Sequence, residues 1–171
     1  MSDSRDLPPL ILTKLAEQVE RTEHLLSFVP PESIEWRPHE SARQLGELLG
    51  HLLECLAGFC AALYAAYPER LAHFSRLRGL PVNHRCGIDE ARARIREYMS
   101  CIEEGFALIT DDDLGRRIPT VFAAEGEALL TILLGNFEHL VNHKHELFFY
   151  LKLLGVSLST SDLYFPREIH G

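Results

Sequence analysis

Apolar side chains recur every three or four residues along most of this chain, a spacing that places them on one face of an α-helix. The first stripe covers residues 12–29. It follows Pro8 and Pro9, which suit the first turn of a helix, and it stops before Pro30 and Pro31, which cannot continue one. The pattern therefore predicts a first helix between the two proline pairs.

Two further stripes cover residues 45–63 and 88–109. Ser41 is followed three residues later by Gln44, a capping-box pattern that is expected to start the second helix. Residues 69–77 are consistent with a short extra helix. The third stripe predicts a third long helix.

A long connection over residues 114–125 separates the third stripe from the fourth, with an extended piece expected at 118–122. The fourth helix is predicted from about residue 126 to Gly155, because glycine suits the position just after a helix end. Four helices that each carry one apolar stripe predict an all-α fold. We expect a four-helix bundle with a long connection between helices three and four.

Length and charge narrow the class of protein. The chain has 171 residues, which suits one domain over 1–171 with a core at about 8–160. It contains neither a membrane-spanning apolar run nor a secretory signal, so no membrane partner and a cytoplasmic location are expected. A formal net charge of −8 argues against a nucleic-acid partner. Three arginines within residues 91–97 are interpreted as a solvated helix face.

Three histidines stand near the start of an apolar stretch, NFEHLVNHKHELFFYLKLLG. His143 occupies a position of the fourth stripe where an apolar residue is expected. His139 lies one turn before it on the same side, whereas His145 should face elsewhere. Two imidazoles at this spacing can reach one divalent cation, but the pattern alone is weakly specific and lacks the glutamate of HExxH.

A third ligand must come from another helix. His51 is the best candidate, because neither a cap nor a turn explains a histidine in ELLGHLLECLAGF. A hydrogen-bonded core histidine is the alternative. Cys55, one turn later, is a candidate fourth ligand, although a buried inert thiol is the preferred interpretation. The remaining histidines lie in polar or loop contexts and are not favoured as ligands: His24, His39, His73, His84 and His170.

The spacing of the cysteines and the acidic run at 111–113 argue against further metal or redox sites. The four cysteines form no CxxC pair, so a zinc knuckle and a thioredoxin-type motif are both excluded, and we expect reduced, buried side chains. The run Asp111–Asp113 lacks the alternation and the glycine of a calcium loop, so a turn and capping role is favoured.

The segments RPHESARQLGELLGHLLE and HLVNHKHELFFYLKLLG together resemble the DinB/YfiT-like superfamily of four-helix metalloproteins. The similarity covers roughly residues 8–160 and includes the Trp36-Arg37-Pro38 step and Ser41 before the second helix. The resemblance maps the family's metal triad onto three residues of this chain: His51, His139 and His143. The chain departs from the family motif at Asn142 and at His145-Glu146, which stand where the family has His and Gly-Gln.

The resemblance also implies a function. Characterised members of the superfamily include thiol-dependent transferases and isomerases, so we expect a divalent metal, zinc or nickel in the first place, and a low-molecular-weight thiol with an electrophile as partners. A homodimer is also expected. A metal-dependent hydrolase and a non-catalytic metal-binding or stress-response bundle remain alternatives. No catalytic residue is identified, although Glu54 is a speculative general base and Arg37 a candidate carboxylate ligand.

Overall fold

The four apolar stripes form four long helices in the computed structural model, which describes residues 6–77, 79–120 and 123–164. The all-α prediction is confirmed. The helices, in chain order and with one single-turn helix, are α1 (Leu7–Leu26), α2 (Leu45–Ala66), α3 (Ile88–Phe106), α4 (Asp111–Leu114) and α5 (Leu129–Leu153). Short 3-10 turns lie at Pro31–Ser33, Ala72–Leu77, Pro81–Asn83 and Thr160–Leu163.

The bundle places consecutive helices α1 and α2 diagonally. Helix α2 packs mainly against α3 and α5, and α1 packs against the same two helices. One continuous core of leucine and aromatic side chains fills the space between them, with Leu15, Phe59, Ile102 and Leu147 fully enclosed. Because α2 and α5 are neighbours, side chains on their facing sides can meet.

Helix α2 is unusually apolar. Within the described residues it is the one helix long and apolar enough to cross a membrane, with a mean hydropathy of 1.6 in its most apolar window. In the structure, 61% of that window is buried inside the bundle. A core helix of a soluble protein has the same length and composition, so packing in the bundle accounts for the apolarity of α2.

The start of α2 differs from the prediction. The helix begins at Leu45, and its capping box joins Gln44 to Glu47 rather than Ser41 to Gln44. The backbone N–H of Gln44 donates to Glu47 Oε2 over 2.7 Å, which satisfies a group that the helix itself leaves free. Ser41 instead contacts His39, with 3.0 Å between the hydroxyl and Nδ1. Ser41 therefore belongs to the preceding turn.

The connection between α3 and α5 contains a two-residue antiparallel ladder, in which Arg117–Ile118 (β1) pairs with Glu127–Ala128 (β2). The predicted extended piece is thus confirmed only at Ile118; Val121 and Phe122 lie outside the described residues. The fourth helix was predicted to begin near residue 126, but Gly126 has φ +80° and turns the chain into β2 instead. Helix α5 therefore starts three residues later.

The end of α5 follows the prediction. Gly155 has φ +82°, a left-handed conformation that glycine adopts without a Cβ penalty. The N–H of Val156 donates to the carbonyl of Leu151, and that of Gly155 to the carbonyl of Lys152, each over 3.0 Å. These two bonds form a Schellman motif, which satisfies the last carbonyls of the helix.

Asp111 and Asp113 cap helices. Asp113 accepts hydrogen bonds from the backbone N–H and the hydroxyl of Thr110 at the start of α4. A hydrogen bond from Tyr67, followed by those from Thr110, lowers the pKa of Asp113 to about 2. Asp111 Oδ1 accepts the N–H of Leu7 over 2.9 Å and so caps α1. Both carboxylates are thus engaged by donors, as expected of a capping role.

Lys144 of α5 is a buried charge that the apolar pattern did not predict. Only 1% of the residue is exposed. Its Nζ donates to Gln18 Oε1 over 2.7 Å and to the carbonyl of Leu163 over 3.3 Å. Burial, with a smaller contribution from the charge of Arg21, lowers the pKa of Lys144 to about 8. The lysine therefore joins α5, α1 and the C-terminal 3-10 turn.

Candidate metal centre

Three histidines meet at the interface between α2 and α5. His51 is in the second turn of α2, and His139 and His143 lie one turn apart in the middle of α5. Nε2 of His51 is 3.1 Å from Nε2 of His139 and 3.0 Å from Nε2 of His143. These three residues are the ligand set predicted from the sequence, and the structure places their ligand atoms within 4.8 Å of one another.

The opposite ring nitrogens of two of these histidines contact carboxylates. His51 Nδ1 is 2.7 Å from Glu54 Oε2, and His143 Nδ1 is 2.6 Å from Glu146 Oε2. A carboxylate only accepts hydrogen bonds, so each Nδ1 carries a hydrogen and each Nε2 of the neutral ring presents a bare lone pair. Two lone pairs 3.0 Å apart repel each other unless a cation or a shared proton lies between them.

The geometry and the donor chemistry both fit a metal ion. Ligands about 2.0–2.1 Å from a tetrahedral zinc are separated from one another by roughly 3.3 Å, close to the distances from His51 to its two neighbours. The three candidate ligand atoms all lie within 4.8 Å of one another. Carboxylates on the outer nitrogens are the usual second partners of metal-binding histidines, because they fix the ring and raise its basicity. The cluster can therefore hold a divalent metal.

Partial burial favours the neutral form of two of these imidazoles, those of His51 and His139. It is the largest cause that lowers the pKa of both His51 and His139 below the ordinary histidine value. The charges of His143 and Arg43 lower both pKa values further, while Glu54 opposes the shift. Neutral imidazole is the form that binds a metal, so the lowered pKa values of His51 and His139 favour ligation.

Neither a family model nor a curated protein matches the sequence. A solved structure does match the fold: the crystal structure of a DinB-like protein, YjoA, from Bacillus subtilis. The TM-score is 0.68 and the sequence identity 17%, and the match covers 87% of this chain and 94% of the other. This chain has the DinB-like fold. The fold that the resemblance implied is thus confirmed over most of its length.

Within the DinB-like bundle, Cys55 lies outside the histidine cluster. It is 1% exposed and belongs to the hydrophobic core. Burial raises the pKa of its thiol to about 12, which fits the buried inert thiol that the sequence favoured. Among the described residues, the group that can hold an ion consists of His51, His139 and His143. The candidate site thus has three protein ligands.

Two residues that the sequence analysis considered have different surroundings from those expected. Glu54 is half exposed and contacts Nδ1 of His51 over 2.7 Å, so it is not an isolated surface charge. Its role as a general base stays a prediction. Arg37 donates to the carbonyl of Glu40 within the loop before α2 and does not line the cleft beside the histidines.

The histidines outside the triad are accounted for separately. Nδ1 of His145 is 3.1 Å from the carbonyl of Val141 on its own helix, on the side away from the cluster, as predicted. His170 lies outside the described residues. Three others have hydrogen-bonding partners of their own, with His24 contacting Asp162, His39 contacting Ser41 and His73 contacting Glu104.

An open cleft of about 350 Å³ lies beside His51. Its walls are formed by Arg43, Glu47, His51, Glu54, Asn83 and His84. Two larger clefts, of about 450 and 460 Å³, have no histidine in their walls. Sequence reasoning missed the place of Arg43 in this cleft and the contact of Glu146 with His143. The glutamate had a signal, because it follows a candidate ligand by three residues on a helix, as Glu54 does.

Proposed function

We propose that this protein is a metal-dependent transferase that activates a small-molecule thiol at His51, His139 and His143. The observation that carries the proposal is the convergence of three imidazole Nε2 atoms next to a solvent-accessible cleft. Three protein ligands leave a coordination position for a reactant, whereas structural metal sites are closed by a fourth protein ligand. The DinB-like fold supports the same choice.

A divalent metal bound at the three imidazoles supplies Lewis acidity, which lowers the pKa of a thiol or water at the open position. His51 and His143 hold their donor nitrogens in place through the carboxylates of Glu54 and Glu146. In the proposed transfer, the thiol sulfur forms a bond to an electrophilic carbon of the second substrate. The bond from that carbon to its leaving group breaks, and the thiol proton leaves to solvent or to the leaving group.

The metal content of the purified, untagged protein tests the first half of the proposal. We expect about one equivalent of zinc or nickel in the wild type and little in His143→Ala, because removing one of three ligands leaves too few donors. His145→Ala is the matched control on the same helix and should retain the metal. No metal in the wild type, even after reconstitution at neutral pH, would refute the proposal.

Thiol binding tests the second half and separates the transferase from a metal-dependent hydrolase. Protein loaded with Co²⁺ should develop a thiolate-to-cobalt absorption band on titration with a small thiol, and His143→Ala should not. Hydrolysis of activated esters by the loaded protein, without any such band, would favour the hydrolase. Retention of metal with neither response would favour the non-catalytic alternative.

We further propose a cytoplasmic location and a homodimer, without nucleic-acid or membrane partners. The four free, buried cysteines suit a reducing compartment. Self-association is supported by large apolar side chains on the outer face of α5, where Leu134, Phe149 and Leu153 are 50%, 59% and 65% exposed. Light scattering after gel filtration should give twice the chain mass of 19.4 kDa, and Phe149→Glu should reduce it.

A further inference from the structure

We propose that Arg43 and His84 form an anion subsite in the cleft beside His51, and that this subsite selects a thiol bearing a carboxylate. The inference rests on the proposed function, because it names the chemical class of the thiol. Its structural basis is the cleft itself, which shares His51 with the metal site and places Arg43 and His84 in its walls.

Arg43 is the arginine of this region whose side chain has no carboxylate partner within the described residues. Arg85, by contrast, forms an ion pair with Glu35 and a hydrogen bond with Gln44. Arg37 donates to the backbone carbonyl of Glu40. The guanidinium of Arg43 is therefore available to an incoming anion, for which its parallel N–H groups can make paired hydrogen bonds.

The two acidic residues of the cleft are already engaged. Glu47 Oε2 accepts the backbone N–H of Gln44, and Glu54 Oε2 contacts His51 Nδ1, each over 2.7 Å. With a divalent ion at the histidines, an anion in the cleft would be attracted by that ion as well as by the guanidinium of Arg43. Without the ion, Glu47 and Glu54 oppose the anion. Binding of a carboxylate should therefore depend on the metal.

The wall that carries Arg43 is fixed to the helix of the metal ligands. The hydroxyl of Tyr150, on α5, donates to the backbone carbonyl of Arg43 over 3.1 Å. The ring of Trp36 packs edge-on against Tyr150, with 5.6 Å between the ring centroids. Gln44, the next residue, caps α2. The position of Arg43 is thus coupled to the two helices that supply the histidines.

The wall that carries His84 is fixed by a close backbone approach. Gly50 precedes His51, and a Cβ at this position would lie 2.6 Å from the carbonyl carbon of His84. The absence of a side chain lets the segment at His84 lie directly on α2. Asn83, which is buried, accepts a hydrogen bond from the hydroxyl of Tyr98 over 2.6 Å. Two fixed walls reduce the ordering cost of binding a small ligand.

Two thiols, one with a carboxylate and one without, test the subsite on Co²⁺-loaded protein. We compare 3-mercaptopropionate with the uncharged 2-mercaptoethanol by titrating the thiolate-to-cobalt band. The wild type should bind the carboxylate thiol about tenfold more tightly than the neutral one. Arg43→Gln should lose this preference while it still binds 2-mercaptoethanol, and His84→Gln should reduce the preference. Arg37→Gln, in the same loop, is the matched control and should retain it.

The outcomes separate the subsite from the proposed function. Equal affinities in the wild type, or a preference that survives both substitutions in the cleft, would overturn the subsite while the metal and thiol chemistry stands. If neither thiol binds, the proposed transferase fails, and calorimetry with succinate decides the subsite alone. Succinate binding that requires the metal and Arg43 would support the subsite, and no binding to the loaded wild type would overturn it.

Discussion

Glu146 Oε2 lies 2.6 Å from Nδ1 of His143 and accepts its hydrogen bond. The same relationship joins Glu54 to His51 over 2.7 Å on the neighbouring helix. In each case the glutamate follows the histidine by three residues, so one turn of helix supplies both the candidate ligand and the group that orients it. The side chains of Glu54 and Glu146 are 50% and 29% exposed, whereas each histidine side chain is 16% exposed.

Replacing the carboxylate of Glu146 should lower the metal affinity of the site without removing a ligand. Glu146→Gln keeps an oxygen that accepts the Nδ1 hydrogen of His143 but removes the negative charge that raises the basicity of the ring. We expect at least a tenfold loss of zinc affinity, measured by competition with a chromophoric chelator. Glu138→Gln makes the same change of charge on α5 and should have little effect. Equal affinities in the two variants would mean that Glu146 does not tune the site.

Acid should destabilise the metal-free protein through the same histidines. Burial lowers the folded-state pKa of His51 and His139, so below pH of about 6.5 the unfolded chain takes up protons first. The stability contributed by these neutral rings is present above pH of about 6.5 and is lost as the pH falls through the lowered values. We expect the Tm of chelator-treated protein to fall between pH 7 and 5.

The control for this pH dependence removes the titrating rings. The double variant His51→Gln/His139→Gln should show a smaller fall in Tm over the same range, because glutamine does not titrate. A fall as steep as that of the wild type would assign the acid sensitivity to other groups.

The apolar pattern predicted the helices well because burial on one face imposes a 3.6-residue period, which is legible without knowing the partner helix. It could not predict Lys144, since a lysine within the stripe is compatible with burial only when Gln18 and the carbonyl of Leu163 receive its hydrogen bonds. Both acceptors are distant in sequence, 126 and 19 residues away. The capping residue of α2 was misassigned for a related reason, because Ser41 and Gln44 each form a capping pattern and only the loop geometry selects between them.

Replacing Lys144 by an apolar side chain should change how stability depends on pH. Its folded pKa of about 8 lies below the ordinary value of 10.5, so between these pH values the unfolded state binds more protons. The lysine therefore makes stability rise with pH over this window, by an amount on the order of 3 kcal/mol. Lys144→Met should remove that rise while remaining folded at pH 7.

Urea unfolding of the wild type and of Lys144→Met at pH 7.5 and 9.5 measures how the unfolding free energy of each depends on pH. The contribution of tyrosines and cysteines is the same in the two proteins and cancels in the comparison. Identical pH slopes in the wild type and Lys144→Met would show that the lysine is not held in its unusual state. Lys152→Met, an exposed lysine on the same helix, is the control and should leave the slope unchanged.

The candidate ligands were accessible to sequence reasoning, but the cleft beside them was not. His51 and His143 interrupt apolar helix faces, which is visible in the sequence alone. Arg43 and His84 lie in two loops separated by the whole of α2, and only the fold brings them to one cleft. The sequence instead drew attention to Arg37, which hydrogen-bonds within its own loop.

Gly50 offers a direct test of how that cleft is built. A Cβ at this position would lie 2.4 Å from the backbone nitrogen of Arg85 and 2.6 Å from the carbonyl carbon of His84. Backbone atoms cannot rotate away, so Gly50→Ala must push the segment off α2. The overpacking should cost about 1–3 kcal/mol of unfolding free energy, partly offset by the better helix propensity of alanine. Gly135→Ala, on α5, meets nothing within 4 Å and should be neutral or stabilising. Urea unfolding of both variants gives the comparison, and a Gly50→Ala protein as stable as Gly135→Ala would show that the close approach is not required.

Because His84 moves with the displaced segment, Gly50→Ala should also lose part of the preference for a carboxylate thiol while it keeps its metal.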